Sequence, residues 1–251
     1  MNQNLTEKDI ICRDFQIGKF NTKKIIPTVT MKIDINIEKM LIKRNEINTT
    51  SSYHVTIYQY LLKAISETIT KYPLLYSIFY KGKIIKYSSL DINVPVSINN
   101  HVEYIVLRNI NTKSLEEIVR EMDEGLTDIK SDSNLLMRSL QEMDKLNKLQ
   151  KVIYKIKNFK NPVYFINKYY GQFPVTNFGT FNINSGTMVL SEPIIAGLAV
   201  GKAEKKLIVK DKITVEETIL PLTISFDHRV MDGSYAGNFL NELKKYIENL
   251  I

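Results

Sequence analysis

The sequence has no tryptophan and a single cysteine, Cys12, in 251 residues. One cysteine excludes an intramolecular disulfide framework and any cysteine-rich zinc module. The three histidines, His54, His101 and His228, stand far apart without metal-ligand spacing, so no metal is expected. Long apolar runs are missing as well. No uninterrupted stretch approaches the ~18 residues of a membrane span. The polar opening Met1-Asn2-Gln3-Asn4-Leu5-Thr6-Glu7-Lys8 lacks the apolar centre of a signal peptide. A cytoplasmic protein without a membrane span is the expectation. Charge of one sign is also in short supply: 34 Lys+Arg against 27 Asp+Glu gives only +7. The lysines are scattered, and no helix-turn-helix, zinc-finger or RNA-binding signature accompanies them, so nucleic acid is not an expected partner. A few local cations suit a phosphate-bearing ligand better.

What is present is globular: 44% hydrophobic and 24% charged residues, a length for one large domain or two small ones. Thr28 to Asn36 alternates apolar and polar residues, the period of a half-buried strand. Ile37 to Ile47 reads as a short amphipathic helix, and Thr56 to Tyr72 as a longer one closed by Pro73. Strand-like runs follow at Leu75 to Tyr80, Ile84 to Tyr87, Val94 to Ile98 and Tyr104 to Ile110, the first two joined by the turn Lys81-Gly82-Lys83. Ser114 with Glu117 forms a capping box that opens a helix predicted to end near Gly125. Leu135 to Tyr170 reads as one or two basic amphipathic helices, packed on the domain with their lysines in water. Strands are predicted again at Phe173 to Asn177, Ile195 to Val200, Lys206 to Lys210 and Ile219 to Phe226. A helix over Asn238 to Leu250 closes the chain. Strands and helices in this order form an α/β or α+β layer architecture.

The sharpest chemistry is Ser225-Phe226-Asp227-His228-Arg229-Val230-Met231-Asp232-Gly233, where an apolar strand runs into titratable groups. A histidine there, largely neutral at pH 7, suits general-base work. His54 and His101, in polar stretches, are expected in solvent. Cys12 has no neighbours that would activate a thiolate, and Tyr164, Tyr169 and Tyr170 read as packing residues.

Asp227 to Gly233 resembles the Asp-His-Arg-x-x-Asp-Gly motif of 2-oxo acid dehydrogenase E2 acyltransferase catalytic domains, and is similar to the His-x-x-x-Asp-Gly motif of chloramphenicol acetyltransferases. Gln172-Phe173-Pro174-Val175-Thr176-Asn177-Phe178-Gly179 resembles a second segment of that family. The resemblance implies a two-layer CoA-dependent acyltransferase fold of α/β (α+β) class, with a mixed sheet, helices on one side and a trimeric assembly. It implies His228 as general base, Thr176 as hydrogen-bond donor to the oxyanion, and Asp232 as a carboxylate that organises the site through an arginine. Arg13 is the arginine at about the right place. Gly233 would allow the turn into the last helix, and Asn177 and Gly179 would shape the Thr176 loop. Active sites would lie between subunits of a homotrimer.

On this reading residues 1–24 are an N-terminal segment and 25–251 the catalytic domain, with 135–170 a helical insertion and no room for a lipoyl arm. Ser191-Glu192-Pro193-Ile194 replaces a double-proline segment of the family. The first expectation is therefore a stand-alone enzyme that moves an acyl group from acyl-CoA to a thiol or hydroxyl on a small molecule or carrier protein. The alternatives are the catalytic core of an E2 served by a separate lipoyl domain, and a non-catalytic trimeric scaffold. Coenzyme A enters as substrate, and its phosphates suit the surplus of cations.

Overall fold

The computed structural model describes residues 6–20, 26–98, 101–210 and 212–250. Its centre is the long strand β9 (Ile213–Asp227), whose second half, Leu220 to Asp227, is buried at every position. β9 has β1 (Thr28–Asn36) antiparallel on one side and β7 (Ala196–Val200) antiparallel on the other. The sheet continues through β6 (Phe173–Asn177), parallel to β7, then β4 (Ile92–Ile98), parallel to β6, and ends on β5 (His101–Leu107). The first half of β9 leaves these partners and forms a hairpin with β8 (Glu204–Lys210). A small separate hairpin, β2 (Ile78–Tyr80) with β3 (Lys83–Ile85), turns through Lys81 and Gly82 at φ 51° and 76°, the left-handed pair a two-residue turn requires. The sheet is mixed, as the family resemblance implies.

The main helical layer covers one face. α2 (Glu38–Thr50), α3 (Ile57–Ile69), α4 (Leu115–Lys130) and α8 (Gly233–Glu248) pack there. α3 is held at its start by a reciprocal cap: Gln59 N donates to Thr56 Oγ1 at 3.2 Å and Thr56 N to Gln59 Oε1 at 2.9 Å. Its Leu61, Leu62, Ala64, Ile65 and Ile69 are fully buried, in one core with Leu222, Ile224 and Phe226 of β9 and Phe239 and Leu243 of α8. Each such Leu, Ile or Phe contributes about 1.5–3 kcal/mol by burial. A one-residue slip of a strand would turn its inward set outward, so this packing fixes the register of the sheet.

A smaller helical layer covers the other face at the β5 edge. α1 (Glu7–Phe20) packs there with α5 (Leu135–Asp144), followed by α6 (Lys148–Asn158), α7 (Pro162–Phe165) and a π-helical turn, Ile166–Tyr170. Leu136, Leu140, Ile166, Tyr169 and Tyr170 are buried against Tyr104 of β5, as a second core. The stretch from 135 to 170 thus folds back on the domain, while α6 leaves Leu149, Val152, Ile153 and Ile156 more than half exposed.

Two expectations are corrected. His101 is not in solvent: its ring is buried between Asp9 Oδ1 at 2.7 Å and Glu103 Oε1 at 3.1 Å. Lys8 adds an ion pair to Glu103 at 2.6 Å and another to Asp132. The polar surroundings of His101 in the sequence are the ion-pair partners themselves, and they tie α1 to β5. The hydrogen bond from His101, with those from Thr6, holds the Asp9 carboxyl well below its usual range. Cys12 is buried beside this cluster, and burial pushes its thiol up to about 12. His54 is exposed.

The second correction concerns Gly125, which does not end α4 but lies within it. A Cβ there would stand 2.7 Å from Cγ2 of Ile105, so this glycine lets the helix approach β5. Helix propensity alone favours replacing a mid-helix glycine. Overpacking reverses the sign: Gly125→Val should cost about 1–3 kcal/mol in a urea unfolding titration.

Candidate active site

His228 follows the last residue of β9, and its position is set by the strand. Its backbone N–H donates to Pro27 O at 2.9 Å. Its Nδ1 lies 3.1 Å from Met231 O, and its ring meets Phe226 edge-on at 6.2 Å between centroids. A carbonyl can only accept, so Nδ1 carries the hydrogen in the neutral ring and Nε2 is left with its lone pair. The side chain is half exposed in the isolated protomer.

Arg229 turns inward. Its Nε donates to Asp227 Oδ1 at 2.9 Å and its second guanidinium nitrogen to Oδ2 at 2.6 Å; its backbone N–H bonds the same carboxylate at 3.0 Å. Asp227 is 1% exposed. The guanidinium also lies over the Phe79 ring at 4.9 Å and reaches Glu192 Oε1 at 3.5 Å. The hydrogen bonds to Asp227 raise the Arg229 pKa further. This pair closes the loop that carries His228.

Asp232 caps α8 at its N-terminal end without a side-chain capping bond. Its carboxylate is exposed, with Oδ1 3.8 Å from His228 Nδ1. Among the described residues no arginine is paired with it, and the side chain of Arg13 lies outside the described residues. Gly233 begins α8 without a left-handed φ, and a Cβ there would meet only Met31 Sδ at 3.7 Å. The turn into the helix therefore does not depend on its conformational freedom.

Thr176 lies on β6, on the sheet face opposite the main helical layer. It lines a cavity of about 220 Å³ with Tyr104, Tyr170, Met188, Leu190 and Ile194. The turn after it is compact: a Cβ on Gly179 would come within 2.9 Å of Gly201 O and 3.0 Å of Asn177 Oδ1, while Thr180 Oγ1 donates to Asn177 O at 2.8 Å. Thr176 and His228 are not brought together. Thr176 pairs with Ala199, and Ala199 with Thr223. His228 is therefore two strands across and five residues along from Thr176, roughly 19 Å between Cα atoms by the usual strand spacings. Neither side chain spans such a gap.

The comparisons with known proteins agree with this architecture. Residues 20–142 and 169–251 match the family model described as 2-oxoacid dehydrogenases acyltransferase (catalytic domain). The chain belongs to that family and is an acyltransferase domain. It is 26% identical over 232 residues to the dihydrolipoyllysine-residue acetyltransferase component of the pyruvate dehydrogenase complex of Rickettsia prowazekii, covering 91% of this chain and 50% of that protein. The chain thus spans about half the length of the curated relatives it matches. Among solved structures, the cubic core of the pyruvate dehydrogenase multienzyme complex shares the fold with a TM-score of 0.74 at 21% identity, covering 100% of this chain and 93% of that one. The dihydrolipoamide acetyltransferase of Azotobacter vinelandii, whose serine, histidine and asparagine have been investigated for roles in catalysis, does so with a TM-score of 0.74 at 20% identity and the same coverages.

The site feature that sequence reasoning passed over is the Asp227–Arg229 pair. Its signal was present, a charged residue ending a buried strand with an arginine two residues on. Removing one partner leaves a buried charge unpaired. Arg229→Met should therefore cost about 3 kcal/mol in urea unfolding, and Asp227→Asn added to it should recover more than half of that loss.

Proposed function

We infer that this chain is the catalytic core of a dihydrolipoamide acyltransferase, an E2 component, which exchanges an acyl group between a dihydrolipoyl thiol and coenzyme A. The observation that carries the reading is the His228 ring, fixed at the strand end with Nδ1 committed to Met231 O and Nε2 free to take a proton. The relatives are dihydrolipoyllysine acetyltransferases of pyruvate dehydrogenase complexes. They favour the E2 reading over the stand-alone acyl-CoA enzyme expected first. In the Azotobacter protein the separations from serine to histidine and from histidine to asparagine equal those from Thr176 to His228 and from His228 to Asp232 here. Aspartate replaces that asparagine.

In this mechanism His228 Nε2 takes the proton of the coenzyme A thiol as its sulfur attacks the carbonyl carbon of the acyl-dihydrolipoyl thioester. The Thr176 hydroxyl donates to the oxyanion of the tetrahedral intermediate. Collapse breaks the bond to the dihydrolipoyl sulfur, which recovers the proton from His228, leaving acyl-CoA and a free dihydrolipoyl thiol. Asp232 stands beside the imidazole, its Oδ1 3.8 Å from Nδ1. Asn177 and Gly179 hold the Thr176 turn. Arg13 is a support position in the same scheme, and residues 25–251 form its domain with 135–170 as an insertion. A scaffold would need neither the aligned imidazole nor the hydroxyl.

The site joins two subunits. Thr176 and His228 lie too far apart in one protomer, and His228 is half exposed there. The β8–β9 hairpin and the connection from β6 to β7 carry Leu207, Val209, Ile213, Phe181 and Val189, each more than half exposed. A homotrimer that covers this apolar surface would set Thr176 of one subunit beside His228 of the next. Lipoyl domain and coenzyme A are the partners of this site.

Activity is tested as acyl transfer between acetyl-CoA and dihydrolipoamide, followed by release of free coenzyme A. His228→Ala should lower kcat about 10²–10⁴-fold and Thr176→Val about 10²–10³-fold, with circular dichroism unchanged. Wild-type rates in the His228 variant would overturn the general-base mechanism.

A further inference from the structure

A second cavity, of about 630 Å³, opens between α1 and α5–α7, walled by Ile11, Phe15, Val152, Ile156, Phe159 and Phe165. That volume and apolar lining are those of a small-molecule site. Three facts connect it to the chemistry. Tyr170, Ser191 and Ile194 wall this cavity and also wall the smaller one that holds Thr176, so the two are neighbours on the same face of the sheet. The six wall residues above all lie outside 20–142 and 169–251, the stretches that match the family model. Most of the cavity's wall therefore lies outside the stretches that match the family model. Finally, its charged residues Asp14, Asp144, Lys155 and Lys160 are exposed and of both signs, with Lys151 half-buried and paired to Asp144 at 2.8 Å. They form a hydrated rim that selects no headgroup, while the interior is aromatic and aliphatic, with Phe159 and Phe165 at 6.0 Å between centroids.

We propose that this cavity receives the hydrocarbon tail of a medium-chain acyl group whose thioester carbonyl lies at Thr176. The inference rests on the acyl-transfer reading and names its substrate class: acyl groups longer than acetyl. A neutral alkyl chain gains about fourfold in binding for each methylene it buries, and it leaves the rim charges in water. Tyr170 and Ile194 are the wall that the two cavities share, and the tail would pass beside them.

The test compares octanoyl-CoA with acetyl-CoA as donors to dihydrolipoamide, for the wild type and for the double variant Val152→Trp/Ile156→Trp. Both positions are more than half exposed on α6, so indoles there fill the cavity without disturbing either core. The wild type should show kcat/KM at least about tenfold higher with octanoyl-CoA. The double variant should keep its acetyl rate and lose that advantage. Preference for acetyl-CoA in the wild type, or an unaltered octanoyl preference in the variant, would overturn the proposal. If neither donor is used, acyl transfer itself fails and binding of S-octanoyl-pantetheine by titration calorimetry decides the cavity separately. Binding about tenfold weaker in the variant supports the tail site, and equal binding overturns it.

Discussion

Everything about the site depends on how β9 is held. Its second half is buried on both faces and bonded on both edges, so neither its register nor its end can shift without exposing Leu220, Leu222, Ile224 and Phe226. That rigidity delivers His228 to one place at the sheet's end. It also fixes β6 two strands away, with Thr176 level with Thr223. The same constraint that positions each residue keeps the two apart within one chain. In the proposed mechanism the hydroxyl and the imidazole that act on one thioester therefore come from two copies.

The charges around His228 divide the work. Asp227, buried and bonded by three donors of Arg229, is a structural carboxylate that locks the loop. Asp232, exposed beside the imidazole, is the carboxylate that the proposed mechanism places next to the reacting thioester. The interior pair is held by desolvation and geometry, so its loss is felt as stability. In the proposed trimer a neighbouring subunit covers the exposed one.

Much of this was legible in the sequence where a local pattern decides the outcome. Alternation set β1, and Phe173 to Asn177 came out as β6 with both ends in place. The capping box at Ser114 marked a helix start because it is a set of short-range bonds. What was not legible depends on partners distant in sequence. Nothing near His101 shows that Asp9 will lie against it. Gly125 carries a stop signal in sequence, and only Ile105 of β5 explains why it is a contact instead. The motif around His228 marked the family but not the acceptor, since coenzyme A and dihydrolipoyl thiols make the same chemical demand on a base. The apolar residues of α6 read as one face of a helix, and their role depends on the cavity they enclose with α1.

The central claim is that one active site takes its base and its oxyanion donor from different subunits. It is tested most directly by co-expressing His228→Ala and Thr176→Val chains with different tags and isolating oligomers that contain both. Neither parent alone holds an intact site. In a closed trimer that contains both chains, roughly one in three interfaces sets an intact Thr176 beside an intact His228. Mixed oligomers should therefore recover about a third of the wild-type acyl-transfer rate. Mixed oligomers no more active than either parent would contradict the account.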